Sequence, residues 1–219
     1  MSYIADRRQE EKDRRRGEIV DAAENLYREL GWDAVTMDSV ARRARLSRAL
    51  VYVYFKDKRD LHFAIADRAM QVLLSRFEEA SARARTGLDQ IEAIGRAYMA
   101  FGTEFPHYFD ACARLELRAT ETPEQGTQAA TTLDTGHKVH EVVVGCLMAG
   151  QRDGSIRPDL GDPAITSRVL WGFVHGLIQI AITKSQPLAE AGISVTQLTQ
   201  QAIAMIRYTL AGGRPPSAG

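Results

Sequence analysis

Apolar residues along this chain recur at helical spacing, and no stretch shows convincing strand alternation. Ile19, Ala22, Ala23, Leu26, Tyr27 and Leu30 form one buried face of a helix starting near Gly17, and Gly31 is placed to end it. Thr36 can cap a second helix, Met37 to Ala44. Ser47 can cap a third, Arg48 to Phe55. Asp57 can cap a fourth that runs into the early 80s and links two domains. Beyond Gly87, the stripe Ile91, Ile94, Ala97, Tyr98, Phe101, Phe105 predicts a helix stopped at Pro106. A shorter helix is expected over Tyr108 to Arg118, then a polar loop over 119–127, then a helix carrying Val139, Val142, Val143, Cys146 and Leu147. Asp162-Pro163 reads as an N-cap with proline at N1. The helix behind it is apolar on most sides, so several of its faces must be covered. Ser194 and Gln197 form a capping box for the last helix. The pattern therefore predicts an all-α fold of about nine helices. An N-terminal three-helix helix-turn-helix domain with an arm (1–60) is expected to precede a second helical domain (61–211) and a disordered tail (212–219).

Length and composition bound the rest. At 219 residues and 45% hydrophobic content the chain can bury a full core. Two widely separated cysteines, Cys112 and Cys146, make no disulfide framework and suit a reducing cytoplasm. The polar, charged first 16 residues lack the apolar segment of a secretory signal. The apolar run Val169 to Ile182 is interrupted by His175 and Gln179 and is shorter than the ~20 residues a membrane span needs. A cytoplasmic protein with no membrane partner is expected.

Net charge is zero, so electrostatic function has to come from local patches. Between Arg42 and Arg59 stand Arg42, Arg43, Arg45, Arg48, Lys56, Lys58 and Arg59 against the single acid Asp57, a local charge of +6. Two short helices joined by a tight connection lie inside this patch. Such a patch gains from counterion release on duplex DNA, and a helix fits the major groove.

The residues that carry the pattern are Ile19, Ala22, Ala23, Leu26, Tyr27 and Gly31, then Thr36, Val40, Ala41 and Ala44, then Leu46, Ser47, Val51, Tyr52, Phe55, Lys56, Lys58 and Leu61. In identity and spacing this segment, roughly 17 to 65, resembles the tetracycline-repressor (TetR) family. The resemblance implies an all-helical homodimer that binds double-stranded operator DNA and is usually released by a small-molecule effector. Two departures stand out. Arg45 occupies the turn position where the family usually has glycine, at a left-handed cost on the order of 1 kcal/mol. Ala49 and Leu50 replace a frequent glycine and threonine, so operator sequence does not carry over.

By position, Arg48, Ala49 and Leu50 open the recognition helix and are candidates for base readout. Thr36, Arg45, Ser47, Tyr52, Tyr54 and Lys58 are candidates for phosphate contact, with Tyr52 equally able to serve packing. Arg7, Arg8, Arg14, Arg15 and Arg16 could form an arm over the DNA, diluted by Glu10, Glu11 and Asp13; a contact-free tail is the alternative. In the second domain Tyr98, Phe101, Phe105, Tyr108, Phe109, Cys112, Trp171 and His175 supply the apolar walls and polar handles of an effector pocket, or simply fill a core. Asp134, His137 and His140 could share a helix face; ordinary solvated polar positions account for them as well, and no metal or cofactor is expected. Helices near 162–184 and 194–211 are the dimer candidates, with Gly172 and Gly176 allowing close approach there or packing within one chain. Two other classes stay open. A regulator answering to a protein partner would have a fully packed second domain. An enzyme would need a nucleophile–base constellation, and the sequence offers none.

Overall fold

In a computed structural model, described over residues 3–115 and 123–211, the chain forms ten α-helices and no strand among the described residues. They are α1 (Tyr3–Leu30), α2 (Met37–Ala44), α3 (Arg48–Tyr54), α4 (Lys58–Ala82), α5 (Gly87–Glu104), α6 (Pro106–Ala113), α7 (Gln128–Asp153), α8 (Pro163–Thr183), α9 (Ser185–Glu190) and α10 (Val195–Ala211), with a 3-10 turn at Trp32–Ala34. The predicted caps are made: the side chains of Thr36, Ser47 and Asp162 accept from the backbone N–H groups of Ser39, Leu50 and Ala164. Ser194 and Gln197 close their box reciprocally.

Four expectations change. Helix α1 begins at Tyr3, not near Gly17, so the arginine-rich segment is helix and not an arm. Arg14 and Arg15 each pair with Glu11 and Glu18 one turn away, support that an apolar-periodicity reading does not register. Helix α6 starts two residues early, because Pro106 needs no N–H partner in a first turn, and it ends at Ala113. Helix α9 is a short extra turn after α8. Helix α8 is 21 residues long, so by length and composition alone it could cross a membrane, which the shorter apolar run inside it did not suggest. The tail 212–219, and residues 116–122 of the helix and loop expected there, lie outside the described residues.

The chain packs as two compact units, Met1–Ala69 with Asp110–Leu133, and Met70–Phe109 with Asp134–Gly219. In the first, Ile19, Val35, Val40, Val51, Phe55, Leu61 and Ile65 are almost fully buried; such side chains contribute roughly 1.5–3 kcal/mol each against exposure. Within it α2 packs against both α1 and α3. Polar bonds tie the later segment to it. The Tyr27 hydroxyl donates to Asp110 at 2.7 Å, the Arg114 guanidinium holds both Asp110 oxygens and reaches Asp33, and the Thr132 hydroxyl donates to the Phe63 carbonyl.

In the second unit α5 is packed by α8 and α10. Glycines let these helices close on it: a Cβ on Gly102 would stand 2.2 Å from the Ile178 side chain. At the start of α5 a Cβ on Gly87 would meet the Gly150 backbone at 2.0 Å, so α5 and α7 touch main chain to main chain there. Asp153 accepts from the Gly87 N–H at 2.8 Å and Ser155 from the Leu88 N–H, satisfying α5 donors that have no partner within the helix.

Candidate nucleic-acid interface

The turn before α3 is left-handed at one residue, Arg45, with φ 57° and ψ 38°; among the described residues no other non-glycine has positive φ. The Leu46 N–H then reaches back to the Ala41 carbonyl at 2.9 Å, closing α2 in a Schellman-type end. The chain is thereby aimed into Ser47 and α3. Along α3, Val51 is fully buried and Phe55 nearly so, while Arg48, Ala49, Tyr52 and Val53 are exposed. At 100° per residue these four make one outward face of a helix whose opposite side is core.

The expected DNA residues divide into three groups. Arg48 and Ala49 are exposed at the start of α3, and Leu50 is half-buried. Arg48 is steadied by Asp38 at 3.0 Å and lies over the Tyr52 ring at 5.5 Å; the Tyr52 hydroxyl and the Asp38 charge raise its already high pKa. Thr36 and Ser47 use hydroxyl oxygen lone pairs as caps, which leaves their O–H hydrogens to donate elsewhere. Tyr54 is half-buried and lines a cleft of about 530 Å³ with Arg16, Lys56, Arg59 and Gln128. Lys58 is placed differently from a free phosphate hook: its ammonium donates to the carbonyls of Trp32 at 2.7 Å and Asp33 at 3.3 Å and stacks on the Trp32 ring, and partial burial lowers its pKa. Arg43 is held by both Glu29 oxygens. Arg42, Arg45 and Lys56 make no ion pair among the described residues.

One residue of this unit was not singled out from sequence, and another was singled out only for the arm. Val53 is 77% exposed, and its place within a hydrophobic run concealed which way it faces. Arg16 lies over the buried Phe55 ring at 4.9 Å and donates to Gln128, contacts that need the fold to be seen. Beneath Lys58, His62 is buried, stacked on Trp32 at 4.6 Å, and its Nε2 has no hydrogen-bond partner; burial pulls its pKa from 6.5 to about 4.

In the second unit the expected aromatic residues gather. Tyr98 and His175 share a 2.8 Å hydrogen bond, Phe109 packs on His175 at 4.5 Å, Trp171 stands 5.4 Å from His175, and Tyr108 stacks on both Phe101 and Phe105, which tilt against each other. Burial lowers the His175 pKa and favours its neutral ring. Cys112 is grouped with the other unit; burial pushes its thiol up to about 12. The helix-face triad does not assemble as a ligand set: His140 is bonded to Ser167 at 3.2 Å, and no metal-holding group of three occurs among the described residues.

An outward recognition face set among cations, mounted on a capped helix-turn-helix, defines a DNA-binding protein. Comparison with known proteins agrees. Residues 19–65 match the family model described as bacterial regulatory proteins of the tetR family, and residues 91–206 match the tetracyclin repressor-like C-terminal domain. The HTH-type transcriptional activator FasR of Mycolicibacterium smegmatis is 32% identical over 199 residues, 80% of this chain and 88% of FasR. Among solved structures, the regulator FadR from Bacillus subtilis in complex with stearoyl-CoA superposes with a TM-score of 0.68 at 17% identity, over 90% of this chain and 98% of that one. AibR in complex with isovaleryl coenzyme A and operator DNA superposes at 0.64 and 18%, over 87% and 97%. The chain belongs to the TetR family of DNA-binding transcriptional regulators.

Proposed function

We propose that this regulator binds its operator as a homodimer and is released from it by an acyl-coenzyme A thioester. The recognition face of α3 carries the DNA part of the reading. Arg48, held out from the helix start by Asp38, is assigned to guanine, while Ala49 and the exposed edge of Leu50 meet less polar base edges. Arg45, Tyr52, Tyr54 and the hydroxyls of Thr36 and Ser47 are assigned to phosphates, with the remaining N–H of Lys58. The functional division remains the helix-turn-helix domain up to residue 60 and the regulatory domain behind it.

The dimer is supported by what α8 and α10 leave exposed: Ile165, Val169, Trp171 and Ile180 on one, Met205 and Tyr208 on the other. Among the described residues, nothing outside α8's own backbone lies within 4 Å of a Cβ built on Gly172 or Gly176, which favours packing against a second copy. A second copy covering this face would make a four-helix interface and would equally explain the apolar length of α8 without a membrane.

The effector class comes from FadR and AibR, whose structures hold stearoyl-CoA and isovaleryl coenzyme A. The aromatic group around Tyr98 and His175 offers an apolar wall and a polar handle for such a ligand. Binding favouring one helix arrangement lowers operator affinity by linkage. Whether occupancy represses or activates then depends on where the operator lies relative to the promoter. The protein acts in the cytoplasm, and by binding, not turnover, as its regulator relatives do.

Genomic footprinting followed by titration of the operator complex tests the whole. Stearoyl-CoA and isovaleryl-CoA would be compared with free coenzyme A. Dissociation by a thioester and not by coenzyme A is expected; failure to bind any genomic fragment at low salt overturns the DNA assignment, and indifference to thioesters overturns the effector class.

A further inference from the structure

We propose that Val53 reads the C5-methyl group of a thymine in each operator half-site. The inference rests on the DNA-binding reading and adds a specificity-determining residue to it.

Val53 is 77% exposed, more than any other large apolar side chain among the described residues. It sits one turn after the exposed Ala49 on the same face of α3, with Val51 and Phe55 turned to the core. The fold gains little from a valine there. The side chain is nearly uncovered, and a β-branched residue is a poorer helix former than alanine. The surroundings say what covers it. Arg42, Arg45 and Lys56 make no ion pair among the described residues, and Arg48 flanks the same face. An apolar protein partner would have to bury those cations, whereas a duplex presents phosphates to them and a groove to the helix.

Within the major groove one base alone carries a methyl group, thymine; guanine and adenine present hydrogen-bonding edges, and cytosine an amino donor beside a bare C5–H. Two methyls of valine against one of thymine remove apolar surface from water on both sides. The same valine against a polar edge strips water from groups it cannot satisfy. The residue therefore selects thymine twice, by gain and by exclusion.

The test replaces single thymines of the selected operator by deoxyuridine, which lacks only that methyl group. Wild-type protein is expected to lose about fourfold in affinity when that thymine is changed in one half-site, and about fifteenfold when it is changed in both. Val53→Ala, present in both subunits, is expected to lose about fifteenfold on the unmodified operator and to be insensitive to uridine at that thymine. Its uridine sensitivity elsewhere and its salt dependence should remain those of wild type and its unfolding midpoint should not fall, because an exposed valine contributes neither to phosphate contact nor to the core and alanine is the better helix former. Unchanged operator affinity in Val53→Ala, or the full wild-type uridine profile in that variant, overturns the assignment while leaving DNA binding intact. Wild-type protein that selects no duplex at all overturns the DNA-binding reading itself.

Discussion

His62 makes the first unit sensitive to acid, and replacing it with phenylalanine should remove that sensitivity. The ring is buried, stacked between Trp32 and the neighbourhood of Tyr27, with Nε2 unsatisfied. Burial is the main cause of its lowered pKa. Arg114 and Lys58 push the same way, and Asp110 opposes them. The folded value is about 4 against 6.5 for the ordinary group, so the folded protein resists a proton that the unfolded chain accepts. The associated stability is therefore complete above pH 6.5, declines as pH falls, and is gone below about 4. Linkage gives a loss of about 1 kcal/mol at pH 6, about 2 at pH 5 and about 3 by pH 4. Denaturant unfolding of wild type and His62→Phe between pH 7 and pH 5 measures it. Every carboxylate and the other histidines are common to both proteins, so the difference between the two curves isolates residue 62. A difference that narrows by about 2 kcal/mol in favour of the variant is expected. Parallel curves would refute the buried, neutral assignment, whatever their vertical offset.

Other perturbations separate folding from binding. Arg45→Gly should raise stability by about 1 kcal/mol, by relieving the left-handed turn, yet weaken operator binding and shallow its salt dependence; equal stability in urea would argue against strain at that turn. Gly87→Ala places a methyl group against the Gly150 backbone, where neither helix can yield locally; loss of several kcal/mol, or failure to fold, is expected by calorimetry. Val169→Glu on the exposed face of α8 should give monomers by light scattering and abolish tight operator binding without lowering helicity; a persisting dimer would move the interface elsewhere. Arg48→Ala should reduce discrimination among operator variants, read by competition binding, with the fold unchanged.

Much of this was already local in the chain. Thr36, Ser47 and Asp162 each precede a first turn whose donors they can satisfy within a few residues, and Arg45 stands at a turn that needs a left-handed conformation; neither property depends on distant neighbours. The spaced apolar residues of 19–61 likewise set a core face, and with it the basic character of the opposite one. What sequence periodicity undercounted was α1 before Gly17, because ion pairs along a polar helix leave no apolar stripe. Other features exist only where distant segments meet. Lys58 is turned onto the carbonyls of Trp32 and Asp33, His62 is sealed beneath Trp32, and Gly87 faces Gly150 because α5 and α7 close on each other. The direction of Val53 was also decided in three dimensions: in a run of apolar residues, which of them faces outward depends on the core that claims Val51 and Phe55. Caps and stripes are short-range chemistry written in neighbouring residues, whereas burial, pKa and exposure are properties of the surroundings, which the chain acquires by folding.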